Sequence, residues 1–395
     1  MHTHKYLIVG GGMTADAAIR GIREVDPQGS IGLIGAEPHL PYKRPLLSKG
    51  LWLGKSFDQL WYGTETCGIS AFLGRTATGL DLAGKCVTDD EGTLYRFEKL
   101  LLATGGRPRR FPFGGDDILY FRTVDDYLRL RALTDRRRKF AVIGGGFIGS
   151  EIAAALASIG KEVVMIFPEE CIGARVFPGD LCRFLNGYYG DQGVELLSGR
   201  TVTGVAREGE KCRLALGETG SPGEQAIVVD GVVAGIGIEP ETRLAELAGL
   251  PVDRGIVVNE ILQAGHPDVY AAGDVASFHN PALDRWMHVE HEDNARTMGR
   301  LAGRNMAGEA NPYRHLPYFY SDLFELGYEA VGELDSRLET IEDWSEPYRK
   351  GVVYYLAQGR VRGVLLWNVW DRVDAARALI EEPGPLGPED LAGRL

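Results

Sequence analysis

Tyr6-Leu-Ile-Val-Gly-Gly-Gly12 lies close to the start of the chain and returns, as a partial repeat, in Phe140-Ala-Val-Ile-Gly-Gly-Gly146. Each copy is a short apolar run suited to a strand buried on both faces, then three glycines, then an alanine-rich stretch of helical spacing. The first glycine cluster is followed by Ala15, Ala17, Ala18 and Ile19, the second by Ile152, Ala153, Ala154, Ala155 and Leu156. Each helix leads to a second apolar strand, Ile31-Gly-Leu-Ile34 and Glu162-Val-Val-Met-Ile166. That is a βαβ unit twice, and it predicts an α/β protein with two Rossmann-like domains.

The glycines have a chemical reading. Gly10, Gly12 and Ala15, with Met13 and Thr14 between them, satisfy the Gly-x-Gly-x-x-Gly/Ala fingerprint at a strand-to-helix turn. The first glycine makes the turn, the second lets a pyrophosphate approach the backbone, and Ala15 allows the helix to pack closely on the strand. The phosphates would sit on N–H groups at the helix N-terminus. Glu37 follows the second strand where an acid would accept hydrogen bonds from an adenosine ribose. The second fingerprint is Gly144, Gly146 and Gly149, with Phe147 and Ile148 inside it and Glu151 just after. Its acid is less cleanly placed. Glu169 is the better candidate and favours NADH over NADPH, because it would repel a 2′-phosphate. Arg175 is near enough to pair with such a phosphate, which leaves coenzyme choice open.

Two more strands run into polar turns: Leu101-Leu-Ala-Thr104-Gly105-Gly106 and Asp268-Val-Tyr-Ala-Ala-Gly273-Asp274. A strand ending in Gly-Asp offers an N–H and a carboxylate to a polyol such as the ribityl chain of a flavin, although Gly-Asp is also a common turn.

A chain of 395 residues calls for two or three domains, and 44% apolar with 25% charged residues describes an ordinary globular protein. The formal charge of -12 disfavours nucleic acid and anionic lipid as partners. Arg136-Arg-Arg-Lys139 precedes a buried strand and reads as a solvated turn. Cys67, Cys86, Cys171, Cys182 and Cys212 are odd in number, and none has Cys-x-x-Cys or Cys-x4-Cys spacing. They are expected to be free thiols of a reduced cytoplasmic protein, and no metal site is expected. With a strand already at Lys5 no signal peptide fits, and no apolar run is long enough for a membrane span.

Past residue 200 the pattern changes to short strands between Gly, Asp and Glu turns, as in Cys212-Arg-Leu-Ala-Leu216 and Ala226-Ile-Val-Val229. From about Asn311 aromatics increase. Gly351-Val-Val-Tyr-Tyr-Leu356 and Val361-Arg-Gly-Val-Leu-Leu-Trp367 predict an antiparallel pair, and Arg372 to Ile380 a terminal helix. The division expected is 1–112 with 239–306, then 113–238, then a C-terminal α+β domain over 307–395.

Together these stretches resemble the FAD-dependent pyridine-nucleotide reductases of glutathione-reductase-like fold, in the branch without a redox disulfide. That branch holds ferredoxin and rubredoxin reductases and apoptosis-inducing factor. Leu40-Pro-Tyr-Lys-Arg44-Pro-Leu-Leu-Ser48-Lys49 is similar to the branch's Pro-Tyr-x-Arg-Pro-Pro-Leu-Ser-Lys segment, with Leu46 in place of the second proline. The likeness is closest to apoptosis-inducing factor. It runs through Leu102 to Arg109, Gly144 to Leu156, Phe167-Pro-Glu169, Gly237-Ile-Glu-Pro240, Val289-Glu-His291 and Tyr348 to Ile380.

The resemblance implies roles. Arg44 and Arg109 would contact FAD, with Thr104, Gly105, Gly273 and Asp274 lining it, and Gly237 would belong to the NAD(P)H site. Lys49 would lie near flavin N5, paired with Glu151. Glu290 and His291 would stand by the flavin near the nicotinamide path, His291 positioning rather than transferring protons, since hydride transfer needs no base. Tyr320 stands where family members commonly place tryptophan.

Two functions follow. One is an NAD(P)H oxidoreductase passing hydride from nicotinamide to flavin N5 and electrons on to an iron–sulfur protein of the ferredoxin or rubredoxin type, or to another acceptor. The other is a redox-responsive protein like apoptosis-inducing factor, in which a long-lived NADH–FAD charge-transfer complex controls conformation or dimerisation. Monomer and homodimer both remain open.

Overall fold

In the computed structural model, which describes residues 1–218 and 221–395, both glycine repeats fold as parallel βαβ units. The first builds a sheet whose parallel strands run in the order Val269–Ala271, Leu94–Leu102, His2–Val9, Ile31–Gly35 and Ser70–Leu73. The second builds a wholly parallel sheet in the order Val194–Ser198, Glu162–Phe167, Lys139–Ile143, Gly231–Ala234 and Ile118–Tyr120. In each, the strand that carries the glycines is flanked on both sides. The chain order therefore reverses there, the point at which such sheets leave a crevice for a nucleotide.

The repeat holds at the level of single hydrogen bonds. Gly10 N–H donates to the Ile34 carbonyl at 2.8 Å, and Gly144 N–H to Ile166 at 2.9 Å. Ala103 N–H donates to Val9, and Gly235 N–H to Ile143. Gly10 and Gly144 have φ of 118° and 117°, a left-handed backbone that L side chains rarely adopt. A Cβ on Gly10 would also strike the Ala103 carbonyl, and one on Gly144 the Gly235 carbonyl. Only glycine fits either turn.

The chain divides into two compact units. Met1–Lys43, Phe57–Arg107 and Glu239–Phe319 form the first; Arg44–Ser56, Pro108–Ile238 and Tyr320–Leu395 form the second. In the first, the Met13–Val25 helix packs on the Glu292–Met306 helix. Gly299 and Gly303 let the Thr14 and Ala18 carbonyls approach closer than any side chain would allow. In the second, the Phe147–Ser158 helix is buried from Gly149 to Leu156, as its apolar sequence requires.

The second unit also carries an antiparallel sheet in the order Tyr318–Leu323, Leu326–Gly332, Arg360–Trp367, Lys350–Ala357 and Glu339–Glu346. The expected pair of late strands is its centre, with Tyr354 opposite Val364, and the terminal helix spans Val373–Glu381. Phe177, from the loop after the Glu162–Phe167 strand, wedges edge-on against Tyr328 and Trp367 of this sheet, at 5.3 and 5.6 Å. The Tyr355 hydroxyl donates to the Val176 carbonyl at 2.8 Å. This sheet and the second nucleotide fold thus share a core.

One expectation fails. Cys171 and Cys182 form a disulfide, their Cα atoms 5.6 Å apart, while Cys67, Cys86 and Cys212 are free thiols. A spacing of 11 residues is no dithiol motif. It is the fold of the loop back onto the Gly179–Asp191 helix that brings both sulfurs into one buried spot. Among the described residues, no helix is long and apolar enough to cross a membrane.

Candidate functional site

In the first unit the glycine turn opens onto space. Gly12 caps the Met13–Val25 helix with no side chain, and a Cβ built on it would meet nothing within 4 Å. Ala15 is wholly buried against the strand, as the fingerprint requires. Thr14 lies against Gly273, whose φ of 78° starts the turn that presents Asp274. That turn is tied down twice. Gly273 N–H reaches Met298 Sδ at 3.3 Å, and His288 Nε2 lies 2.5 Å from the Asp274 carbonyl oxygen. Glu37 accepts a hydrogen bond from the Tyr42 hydroxyl at 2.5 Å, which orients the carboxylate proposed for the ribose.

Thr104 donates to the Glu241 carbonyl at 2.7 Å, and Gly105 accepts from Glu241 N–H at 2.9 Å. His291 is the N-cap residue of the Glu292–Met306 helix, its ring stacked on Phe319 with centroids 4.3 Å apart. Exposed Glu290 lies 3.5 Å from His288.

The second unit repeats the cradle. Gly146 caps the Phe147–Ser158 helix, again with nothing within 4 Å of a built Cβ, while one on Gly149 would strike the Gly144 carbonyl. Phe147 is half-buried and Ile148 exposed. Glu169 and Arg175 are paired with each other, Nη2 to Oε1 at 2.7 Å and Nε at 3.1 Å. Arg109 N–H donates to Gly237, and its Nε to Ile238 at 3.3 Å, so Arg109 and Gly237 are neighbours although assigned to different nucleotides. Arg44 donates to the Arg122 carbonyl at 3.1 Å.

Glu151, on the second turn of that helix, is 4% exposed and ion-paired with Lys49 at 2.9 Å; Lys49 is itself only 12% exposed. Lys49 comes from the short Arg44–Ser56 strap, which Trp52 pins by an edge contact with Tyr127 at 5.3 Å. The Tyr320 ring lies 4.5 Å from the Lys49 ammonium, so the residue that replaces tryptophan supplies a cation–π face.

The sequence reading missed the hydroxyls around this pair. Ser48 donates to Glu151 Oε2 and Ser321 to Oε1, each at 2.6 Å. Ser48 adjoins Lys49 and Ser321 adjoins Tyr320, but nothing in the sequence says that these two stretches meet. Close by, burial and the charge of Glu151 push the phenols of Tyr189 and Tyr328 well above their usual range. Burial also raises the Asp322 carboxyl, with Lys49 opposing and Glu151 reinforcing the shift.

Known proteins match this chain over nearly its whole length. Residues 4–299 match the model of the pyridine nucleotide-disulphide oxidoreductase family. Residues 302–347 and 342–382 match the C-terminal domain of mitochondrion-associated apoptosis-inducing factor. The mitochondrial apoptosis-inducing factor 1 of Dictyostelium discoideum is 36% identical over 95% of this chain and 78% of its own length. The ferredoxin–NAD(+) reductase component of the anthranilate 1,2-dioxygenase system of Burkholderia cepacia is 32% identical over 99% and 98%. Among solved structures, a covalent putidaredoxin reductase–putidaredoxin complex superposes with a TM-score of 0.90 at 29% identity, covering 98% of this chain and 95% of the other. The chain belongs to the pyridine nucleotide-disulphide oxidoreductase family, as an NAD(P)H-dependent flavin oxidoreductase of its ferredoxin reductase and apoptosis-inducing factor group.

Proposed function

We propose that the protein takes hydride from NADH onto FAD and delivers the electrons singly to a small iron–sulfur protein. The Lys49–Glu151 ion pair carries this reading. Desolvating two charges is costly, and a protein keeps such a pair where a charge is needed. When bound, FAD accepts the hydride at N5 and can release electrons one at a time. The open backbone at Gly12 and at Gly146 leaves room for a phosphate to approach each helix N-terminus.

In this proposal Gly10, Gly12, Met13, Thr14 and Ala15 hold the FAD pyrophosphate and Glu37 its ribose. Arg44, Thr104, Gly105, Arg109, Gly273, Asp274, Glu290, His291 and Tyr320 line the rest. Gly144, Gly146, Phe147, Ile148, Gly149, Glu169, Arg175 and Gly237 bind the nicotinamide nucleotide. Glu151 holds Lys49, whose ammonium favours an anionic ring. Three functional parts are assigned, FAD-binding 1–112 with 239–306, NAD(P)H-binding 113–238, and C-terminal 307–395, in a cytoplasmic protein. The buried Cys171–Cys182 bridge is assigned no part in electron transfer.

An iron–sulfur acceptor is supported by the end-to-end match with the Burkholderia ferredoxin reductase component and by the putidaredoxin reductase complex. The match over 302–382 to the apoptosis-inducing factor C-terminal domain supports the second reading, a sensor that responds to NADH by changing conformation or association. Cytochrome c reduction under NADH separates them. A reductase becomes fast only when a ferredoxin-type protein is added; a sensor stays slow with every such protein and holds a persistent long-wavelength band.

A further inference from the structure

Ser321 and Tyr328 have no role in the account above, yet both are buried beside Glu151. A carboxylate offers about four lone-pair positions. Three of those on Glu151 are filled, by the Lys49 ammonium at 2.9 Å and by the Ser48 and Ser321 hydroxyls at 2.6 Å each. Ser48 lies next to Lys49 in the chain. Ser321 comes instead from the C-terminal sheet, beside Tyr320, whose ring takes the Lys49 charge. Two consecutive residues of one strand thus address the cation and the anion of the same pair.

Behind Ser321 stands Tyr328, its phenol close to the Ser321 hydroxyl. Ser321 has one proton and gives it to Glu151. Burial and the nearby carboxylate keep that phenol protonated. The Tyr328 ring is fixed by stacking on Trp367 at 5.6 Å and 7°, with Phe177 against it edge-on. Tyr328 thus backs Ser321 with a rigid, protonated phenol, while Ser321 donates to Glu151. If filling space were all that mattered, an apolar side chain at position 321 would serve.

We propose that Ser321, with Tyr328 behind it, is a positioning residue for the Lys49–Glu151 pair. It fixes the Glu151 carboxylate in the orientation that meets the Lys49 ammonium, and so keeps Lys49 in place. The inference rests on the function proposed above. The other ionisable groups packed around Glu151 are Lys49 from the strap, Asp322 and Tyr328 from the C-terminal sheet, and Tyr189 from the Gly179–Asp191 helix.

The test uses FAD-loaded wild type, Ser321→Ala, Ser321→Thr and Tyr328→Phe, mixed anaerobically with NADH. An infrared spectrum of each protein, and of Glu151→Gln, is recorded in parallel. Losing a hydrogen bond to a charged group should cut the limiting rate of flavin bleaching about tenfold in Ser321→Ala. The carboxylate stretch that disappears in Glu151→Gln should shift in Ser321→Ala, because one oxygen has lost its hydroxyl donor. Ser321→Thr should stay within about twofold of wild type, and Tyr328→Phe should lose about threefold.

A wild-type rate and spectrum in Ser321→Ala overturn the proposal, as does a variant that loses only thermal stability. If Ser321→Ala does not fold, a Tyr328→Phe variant with wild-type rate and spectrum overturns it. A wild type that is not bleached by NADH refutes the function instead, and the infrared comparison then still decides whether Ser321 positions Glu151.

Discussion

The Lys49 ammonium sits 2.9 Å from the Glu151 carboxylate, with almost none of either side chain in water. Breaking such a pair from one side strands a buried charge, at a cost of about 3–5 kcal/mol. Lys49→Met alone should therefore lower unfolding free energy by about 3 kcal/mol in urea titrations, and Lys49→Met/Glu151→Leu should recover most of it. Neither variant should accept hydride at the wild-type rate. A single variant as stable as the double one would show that the pair is solvated in solution.

Two glycines two residues apart should behave oppositely. Gly10→Ala places a side chain at φ 118° against the Ala103 carbonyl and should destabilise the protein by about 1–3 kcal/mol or more. Gly12→Val adds bulk where the protein has nothing within 4 Å. It should leave the apoprotein's melting temperature nearly unchanged while abolishing FAD retention. A Gly12→Val protein that keeps its flavin would remove the phosphate from that turn.

Coenzyme choice should follow Glu169. Wild type should prefer NADH, because a 2′-phosphate would meet this carboxylate and compete with it for Arg175. Glu169→Ala should narrow the NADH-to-NADPH ratio of kcat/KM by about tenfold, as Arg175 is released to a phosphate. An unchanged ratio would place ribose recognition elsewhere.

The disulfide makes a prediction of its own. Alkylation of the unfolded, unreduced protein should modify three of the five cysteines. Cys171→Ser/Cys182→Ser should lose about 3 kcal/mol, the chain-entropy value for so short a loop. Five reactive thiols in the native preparation would contradict the bridge.

His4 supplies a pH signature. It is buried, neither ring nitrogen has a hydrogen-bond partner among the described residues, and burial followed by the charge on His2 lowers its pKa from the ordinary 6.5. The folded state therefore binds this proton less readily than the unfolded state. Its contribution is intact above pH 6.5 and is lost as pH falls below that value, until the folded pKa is passed. Replacing His4 with Phe should flatten this part of the stability profile in denaturant titrations at stepped pH. A slope that survives the substitution would assign the effect to other groups.

Much of this was legible from residue types. A buried strand, a left-handed glycine and a helix N-terminus leave a local signature, which is why Gly10 and Gly144 could be placed from sequence and found with φ values a degree apart. The late hairpin and the terminal helix were legible for the same reason. What lay hidden was contact between distant stretches. Ser321 reaches Glu151 across 170 positions, and no periodicity encodes that distance. Cys171 and Cys182 looked like unrelated thiols because their meeting depends on a loop turning back onto a helix. The Arg44–Ser56 strap likewise follows the first βαβ unit in sequence but belongs with the second unit in space.

The most direct measurement is the visible spectrum of the purified protein, loaded with FAD and mixed without oxygen with a small excess of NADH. The account predicts about one tightly held flavin per chain, whose yellow absorbance bleaches on mixing and returns in air. A protein that stays colourless after FAD is offered, or a flavin that NADH leaves oxidised, would contradict it.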